Sequence, residues 1–364
     1  MKDSEGEFQK QGDLSSVVES PKSPPYTLAV DAMGGDRGAD IVFAALDKTA
    51  DRHPWVKILL VGDGPSLQRG LLRHSKAAKI CDIRHAPMVI PMDMKPTKAL
   101  RVQGSSMQIA MKAVAQGEAA GVVSAGNSGA MLALAKIIIK VLPGISRPAL
   151  VAVQPSARGD VVMLDLGANL ACDARNLVEF AIMGEAFSRA MLDIREPTIG
   201  LLNVGSEDVK GDERLHEAAA ALRNGPLASR FVGFVEGHDI TAGHTDVIVT
   251  DGFTGNIALK MGEGALKLAY GLLRAVFSSS VFTKLGYLLA RRGLDRMKDW
   301  IDPRRYNGAL LIGLNGIVVK SHGGADVESF AAAVDVAVDA VAFDMNDHIK
   351  KRLAESQEAF SAKS

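Results

Sequence analysis

Short runs of β-branched and apolar residues, each followed by a Gly- or Asn-containing turn and then a long amphipathic stretch, recur along nearly the whole chain. Strands are expected at Thr27–Asp31, Val56–Val61, Ile80–Arg84, Gly121–Ser124, Ala149–Val153, Val161–Asp165, Thr198–Leu202, Phe231–Val235 and Asp246–Val249. A last pair falls at Ala309–Gly313 and Ile317–Lys320. Helical patterns occupy Ala39–Arg52, Ser105–Gln116, Met131–Leu142, Ala174–Leu192 and Asp212–Arg223, and a long Ala/Val-rich helix runs from about Asp326 to the tail. Strand, turn and helix in this order imply right-handed crossovers and a mainly parallel sheet covered on both faces. The expected class is α/β, a Rossmann-like three-layer α/β/α arrangement. No internal repeat or linker divides it, so residues 26–350 read as one domain.

Hydrophobic residues make up 47% of the chain but aromatics only 5%, so small and branched side chains carry the core and let layers approach closely. Forty-two basic residues balance 42 acidic ones, and no global field points to nucleic acid. The two cysteines, Cys81 and Cys172, are too few for a disulfide framework or a thiolate metal cluster and fit a reducing compartment. No apolar run is long enough to span a bilayer; the Met131–Leu142 stretch is interrupted by Lys136 and Lys140. Residues 1–25 are polar, with Ser and Pro, and read as a disordered extension rather than a secretory signal, while residues 351–364 read as a tail. The default location is the cytoplasm.

The alternation breaks between Ser278 and Asn307. Val281, Phe282, Leu285, Leu288 and Leu289 recur at helical spacing, followed by Leu294, Met297, Trp300 and Ile301, with Lys284, Arg291, Arg292, Arg296, Lys298, Arg304 and Arg305 interleaved. This pattern reads as an amphipathic helical hairpin inserted at about 278–307, with one apolar and one basic face. A dimer contact with a solvated rim and a membrane or carrier contact are both compatible with it.

In a parallel sheet, ligands sit beyond the carboxyl ends of the strands, in the turns that enter helices. Seven turns qualify: Asp31-Ala-Met-Gly-Gly-Asp36, Ser124-Ala-Gly-Asn-Ser-Gly-Ala130, Asp165-Leu-Gly-Ala-Asn169, Asn203–Gly211, Glu236-Gly-His-Asp239, Asp251-Gly-Phe-Thr-Gly-Asn256 and Ser321-His-Gly-Gly-Ala-Asp326. Gly34, Gly35, Asn127 and Ser128 offer amides and polar side chains at helix starts, a cradle for phosphate or an oxyanion, though Asn127 and Ser128 serve equally as ordinary N-caps. Lys210 in a Gly-bounded turn is either a phosphate ligand or a solvated lysine. Asn256 is either a cap or a carbonyl ligand, and His322 either a structural hydrogen-bonder or a base. The chain contains no G-x-S-x-G elbow, Walker A loop, H-E-x-x-H or first-crossover G-x-G-x-x-G. Such turns suit positioning and oxyanion stabilisation for a nucleophile that arrives as a substrate.

Taken in order, these turns together with Ser105-Ser-Met107 resemble the phosphate acyltransferase family known as PlsX, from about Tyr26 to about Phe343. The resemblance implies a homodimer with an α/β/α core of isopropylmalate dehydrogenase and phosphotransacetylase type, using neither metal nor cofactor. It implies transfer of a long-chain acyl group from acyl carrier protein to inorganic phosphate, the acyl phosphate feeding a membrane glycerol-3-phosphate acyltransferase at the start of phospholipid synthesis. It further implies a cytoplasmic protein in peripheral contact with the membrane. Lys210 and Asn256 are then the catalytic candidates, from one subunit or two, and Asp31, Gly34, Gly35, Asn127, Ser128, Asn169 and His322 shape the substrate and phosphate pocket. Arg291, Arg292 and Arg296 are the candidate contact for an acidic carrier or the membrane. The sequence departs from the family at Phe234, where Asn is expected. The rival readings are a dehydrogenase on the same architecture and a membrane-associated scaffold.

Overall fold

The computed structural model describes residues 25–300, 302 and 307–361. The expected extension before Pro25, and Ile301, Arg304 and Arg305 of the basic segment, lie outside the described residues. Eleven strands form one sheet: β1 Thr27–Asp31, β2 Lys57–Gly62, β3 Cys81–His85, β4 Gly121–Ser124, β5 Ala149–Ser156, β6 Gly159–Leu164, β7 Ile199–Leu202, β8 Phe231–Val235, β9 Val247–Val249, β10 Ala309–Ile312 and β11 Ile317–Lys320. The helices are α1 Ala39–Arg52, α2 Gly64–Leu71, α3 Ala77–Ile80, α4 Pro96–Ala99, α5 Ser106–Ala115, α6 Ser128–Ile138, α7 Ala174–Leu192, α8 Glu213–Asn224, α9 Asp239–Ala242, α10 Gly252–Ser278, α11 Val281–Trp300, α12 Val327–Ala342 and α13 Met345–Ser361.

The strand order is β3-β2-β1-β4-β11-β10-β5-β6-β9-β7-β8. β1, β2, β3, β4 and β11 are mutually parallel, as are β6, β7, β8 and β9. Three successive antiparallel pairings, β11–β10, β10–β5 and β5–β6, join the two blocks. An odd number of reversals leaves the blocks running in opposite directions. The sheet is therefore mainly parallel and shared by both halves, but the carboxyl ends of its two blocks lie at opposite edges. A mainly parallel sheet would gather the seven turns at one edge; the three reversals, including the β5–β6 hairpin closed at Ala157 and Arg158, divide them between two.

Helices cover both faces. One face packs α1, α7, α8, α12 and α13 through residues such as Phe43, Leu46, Phe180, Leu222, Phe330, Val334 and Ile349. Burying a phenylalanine such as Phe180 or Phe330 contributes roughly 1.5–3 kcal/mol. On the other face Met107, Met111, Met131 and Leu134 of α5 and α6 cover β1, β4 and β11, while Ala258 and Leu259 of α10 pack over β5, β6 and β9; Leu150 touches both groups. Three helix boundaries differ from expectation. α6 starts at Ser128 because Asn127 caps it, accepting from Ala130 N at 2.9 Å. The tail helix breaks into α12 and α13 at Asp344, whose φ is +47°. The segment read as a hairpin is the single helix α11, and its partner is the long α10 that begins at the Asp251 turn, with Phe277 and Tyr287 in edge contact at 5.6 Å.

The C-terminal helix is held by one buried acid. Glu185 of α7 is 0% exposed and meets Arg230, Arg189 of its own helix at 3.3 Å and Arg352 of α13 at 2.8 Å. Removing one partner from a buried ionic cluster leaves the others uncompensated. Glu185→Gln is expected to cost about 3 kcal/mol in chemical denaturation, with the amides of α13 losing exchange protection first; unchanged protection there would show that α13 docks without this cluster.

Candidate functional site

At the carboxyl edge of the first block, the turns after β1, β4 and β11 meet. Asp31 is 1% exposed; it accepts from Ser124 Oγ at 2.7 Å and from Met33 N at 3.2 Å, and Gly126 N donates in turn to Ser124 Oγ at 3.0 Å. Burial pushes the Asp31 carboxyl above its usual range, against the opposing pull of hydrogen bonds from Ser124 and Ser106. A Cβ on Gly34 would stand 2.7 Å from Gly126 N, so this glycine lets two turns touch backbone to backbone. Gly35, at φ +94°, brings Asp36 N to Gly323 O at 2.8 Å. The Met33 and Asp36 amides of this turn thus bind within the protein. The Asn127 carboxamide, besides capping α6, donates to Met92 O at 2.7 Å and Met94 O at 2.8 Å, tying the loop before α4 to the α6 start; Ser128 beside it is exposed.

His322 is exposed, and its Nδ1 accepts from Gly324 N at 3.1 Å, which leaves Nε2 as the protonated nitrogen. Partial shielding of the ring within this otherwise exposed residue, with Lys320 and Lys260 nearby, holds its pKa below the ordinary 6.5. Because the folded value lies below the unfolded one, the unfolded chain takes up the proton first as pH falls. Stability tied to neutral His322 is therefore present above pH 6.5 and is lost as pH falls through the window beneath it.

At the opposite edge, the turns after β6 and β9 meet at Asp165, which is 0% exposed, with the turn after β7 adjoining that of β9. Its carboxylate accepts from Leu150 N, Gly167 N, Ala168 N, Asn169 N and Asn169 Nδ2, at 2.7 to 3.2 Å. Burial raises the Asp165 pKa against these bonds. Asn169 also donates to Pro148 O at 2.8 Å, and its own carbonyl accepts from Gly252 N at 2.8 Å. The first turn of α10 thus rests on the Asp165–Asn169 loop. It is capped by Asp251, which accepts from Thr254 N at 2.8 Å, so the cap is Asp251 and the Asn256 side chain is left for other use. Arg214 clamps this junction, donating to Asp251 at 2.9 Å, Asp212 at 2.7 Å and Cys172 O at 3.1 Å.

Asn256 lies over Gly167, with its Oδ1 3.7 Å from where a Gly167 Cβ would be. It is exposed, and no described residue hydrogen-bonds its side chain. In the adjoining turn, Asn203 donates to Lys210 O at 3.0 Å, and the Lys210 ammonium is exposed without a carboxylate partner among the described residues. The structure therefore brings Lys210, Asn256 and Asn169 to one edge and Asp31, Gly34, Gly35, Asn127, Ser128 and His322 to the other. The Cys172 thiol, beside Asn169, is pushed up to about 11 by burial and by Asp165, which keeps it protonated and a poor nucleophile at neutral pH.

Arg291, Arg292 and Arg296 are exposed on α11, Arg291 pairing with Asp295 at 3.5 Å. Phe234 packs edge-on against His216 of α8 at 5.6 Å, on the face opposite α10. An asparagine there would face the core, so the departure at this position leaves the site unaltered. Arg214 and Ser124 were not singled out from the sequence: an arginine in a helix's first turn and a serine ending a strand carry no signal until the turns they clamp are in place.

Two measurements follow from this geometry. A Cβ on Gly255 would stand 2.0 Å from Asp165 O, so Gly255→Ala is expected to lift α10 off the loop and cost about 2 kcal/mol in chemical denaturation; wild-type stability would show that this turn is free to shift. An NMR titration of His322 is expected to give a midpoint below 6.5, and a midpoint at or above that value would contradict the arrangement around its ring.

A profile of the fatty acid synthesis protein family matches residues 26–348. A phosphate acyltransferase from Gluconobacter oxydans is 72% identical over 331 residues, covering 91% of this chain and 90% of the relative. A second, from Gluconacetobacter diazotrophicus, is 64% identical over 95% of this chain and 92% of its own length. Among solved structures, a phosphotransacetylase from Streptococcus pyogenes superposes with a TM-score of 0.60 at 17% identity, over 87% of this chain and 94% of that one, a likeness of fold. The chain belongs to the fatty acid synthesis protein family, whose PlsX members are named phosphate acyltransferase, and it is an acyltransferase.

Proposed function

We propose that the chain transfers a long-chain acyl group from the thioester of acyl carrier protein to inorganic phosphate, releasing acyl phosphate and the free carrier thiol. The observation that carries this reading is the presence of an ammonium and a carboxamide, Lys210 and Asn256, on adjoining turns, neither side chain engaged by any described residue. A phosphate oxygen attacks the thioester carbon, the carbonyl oxygen takes up negative charge, and collapse breaks the C–S bond with loss of the pantetheine thiolate. Lys210 offsets charge on the phosphate, and Asn256 Nδ2 donates to the developing oxyanion. Thiolate is a competent leaving group, so the mechanism calls for no strong general acid. The relatives' common name, phosphate acyltransferase, supports the acceptor.

The reading extends to partners. An acidic carrier suits α11, where Arg291, Arg292 and Arg296 are exposed, and a groove of about 530 Å³ between α10 and α11 adds Arg274, Lys284 and Lys298 among Leu273, Phe277 and Leu294. Ile257, Met261, Leu268 and Leu272 form an exposed stripe along α10, and Val281, Phe282 and Leu289 are more than three-quarters exposed on α11. These surfaces fit a homodimer and a peripheral membrane contact, beside a membrane glycerol-3-phosphate acyltransferase that consumes the product. No helix among the described residues is long and apolar enough to cross a membrane.

The test is acyl phosphate formation from acyl carrier protein thioester and phosphate, trapped as hydroxamate. Thiol release that requires phosphate, with matching hydroxamate, is the expected result; thioester loss indifferent to phosphate would make the chain a hydrolase and overturn the proposal. Asn256→Ala is expected to lower turnover by about a hundredfold or more, the effect of one lost oxyanion donor, and unchanged turnover would remove Asn256 from the site.

A further inference from the structure

Lys320 ends β11, in register with Ser124 of β4, which is itself in register with Asp31 of β1. Residues in register on parallel strands point to the same face, and Val122 and Val318, two residues earlier, lie in the layer under α5 and α6. On its other side Lys320 pairs with Ala309 of β10, which packs in the layer covered by Ala258 and Leu259 of α10. The lysine thus stands on the sheet between α6 and α10, where neither helix layer is continuous with the other. It is partly buried, yet among the described residues no carboxylate pairs with it and its ammonium makes a single long hydrogen bond, 3.4 Å, to Ser321 O. The charged groups that face it come from α10, namely Lys260 and Glu263, and Glu263 is engaged by Lys260 at 3.1 Å. His322, whose free Nε2–H is a donor, stands two residues away with Lys267 also in range.

A partly buried ammonium without a counter-ion is costly unless a ligand supplies the charge. We propose that Lys320, with His322 beside it, binds an anionic phosphate group on the sheet face between α6 and α10. Burial and Lys260 already push the Lys320 ammonium below the usual lysine range, the environment an incoming anion would relieve. The site rests on the proposed reaction only for the source of the phosphate, which is either inorganic phosphate held before it reaches Lys210 or the phosphopantetheine arm of the carrier, a phosphodiester with one charge. Lys320 ends a strand of the first block and Lys210 follows a strand of the oppositely directed second block, so the two lysines stand at different edges of the sheet.

The experiment is calorimetric titration of the full chain, without thioester, with inorganic phosphate and separately with the methyl ester of 4′-phosphopantetheine, a phosphodiester like the carrier-bound arm. Lys320→Met is expected to weaken one of the two by about tenfold or more, the scale of one charge-assisted hydrogen bond, while Lys320→Arg retains it. Loss toward inorganic phosphate marks the site that holds it before Lys210, and loss toward the phosphopantetheine ester marks the carrier arm. As a readout independent of the variant's folding, reductive ¹³C-methylation of the wild-type lysines should give a Lys320 signal that shifts with that ligand, assigned by its absence in Lys320→Arg. Wild-type affinity of Lys320→Met for both ligands, or no binding of either by the wild type with an unmoved Lys320 signal, would overturn the site. Lys320-dependent binding without acyl transfer would instead overturn only the proposed reaction.

Discussion

The buried carboxylate of Asp165 organises everything at the edge where Lys210 and Asn256 stand. It takes three amides from its own turn, one from β5 across the hairpin, and the Asn169 carboxamide. A lone carboxylate at 0% exposure would be costly, and these donors make its burial tolerable. In exchange the loop becomes rigid enough for a second element to rest on it. Gly252 and Gly255 seat the first turn of α10 against its backbone, Asp251 caps that turn, and Arg214 ties the cap to the turn after β7. The two candidate side chains are thereby set on adjoining turns without being engaged by the scaffold.

The reversal of the sheet has an equally direct consequence. A single parallel sheet would gather all its carboxyl-end turns along one edge. Here β10, β5 and β6 turn the second block over, and α10 then runs from the Asp165 edge toward Lys260 and Glu263, which lie near Lys320 and His322 of the first block. The face between α6 and α10 therefore lies between the two groups of turns.

Much of this was legible in the sequence. β1, β4, β8, β11, α1 and α7 occupy the residues that alternation predicts, because each pairs a clear hydrophobic period with a turn residue at its end. The identities of the turns were legible too, since Gly, Asn and Asp are demanded by the turn geometry itself. Direction was legible only in the spacing: about seven residues separate the expected strands Ala149–Val153 and Val161–Asp165, too few for a crossover, and the link at Ala157 and Arg158 makes β5 and β6 a hairpin. The fate of each polar group was not legible. Asn127, Asn169 and Asn256 look alike in sequence, yet the first two spend their amides on Met92, Met94, Pro148 and Asp165 while the third makes no such bond. Lys320 was hidden as the last residue of an apolar strand.

The mechanism depends on a nucleophile that arrives in solution, since the thiol nearest the proposed site, Cys172, is held protonated and the scaffold around it is devoted to positioning. Intact-mass spectrometry of the enzyme mixed with acyl carrier protein thioester in phosphate-free buffer tests this most directly. Direct attack predicts a protein of unchanged mass and no thiol release until phosphate is added. An acyl adduct on the chain, formed before phosphate and discharged by it, would contradict the account.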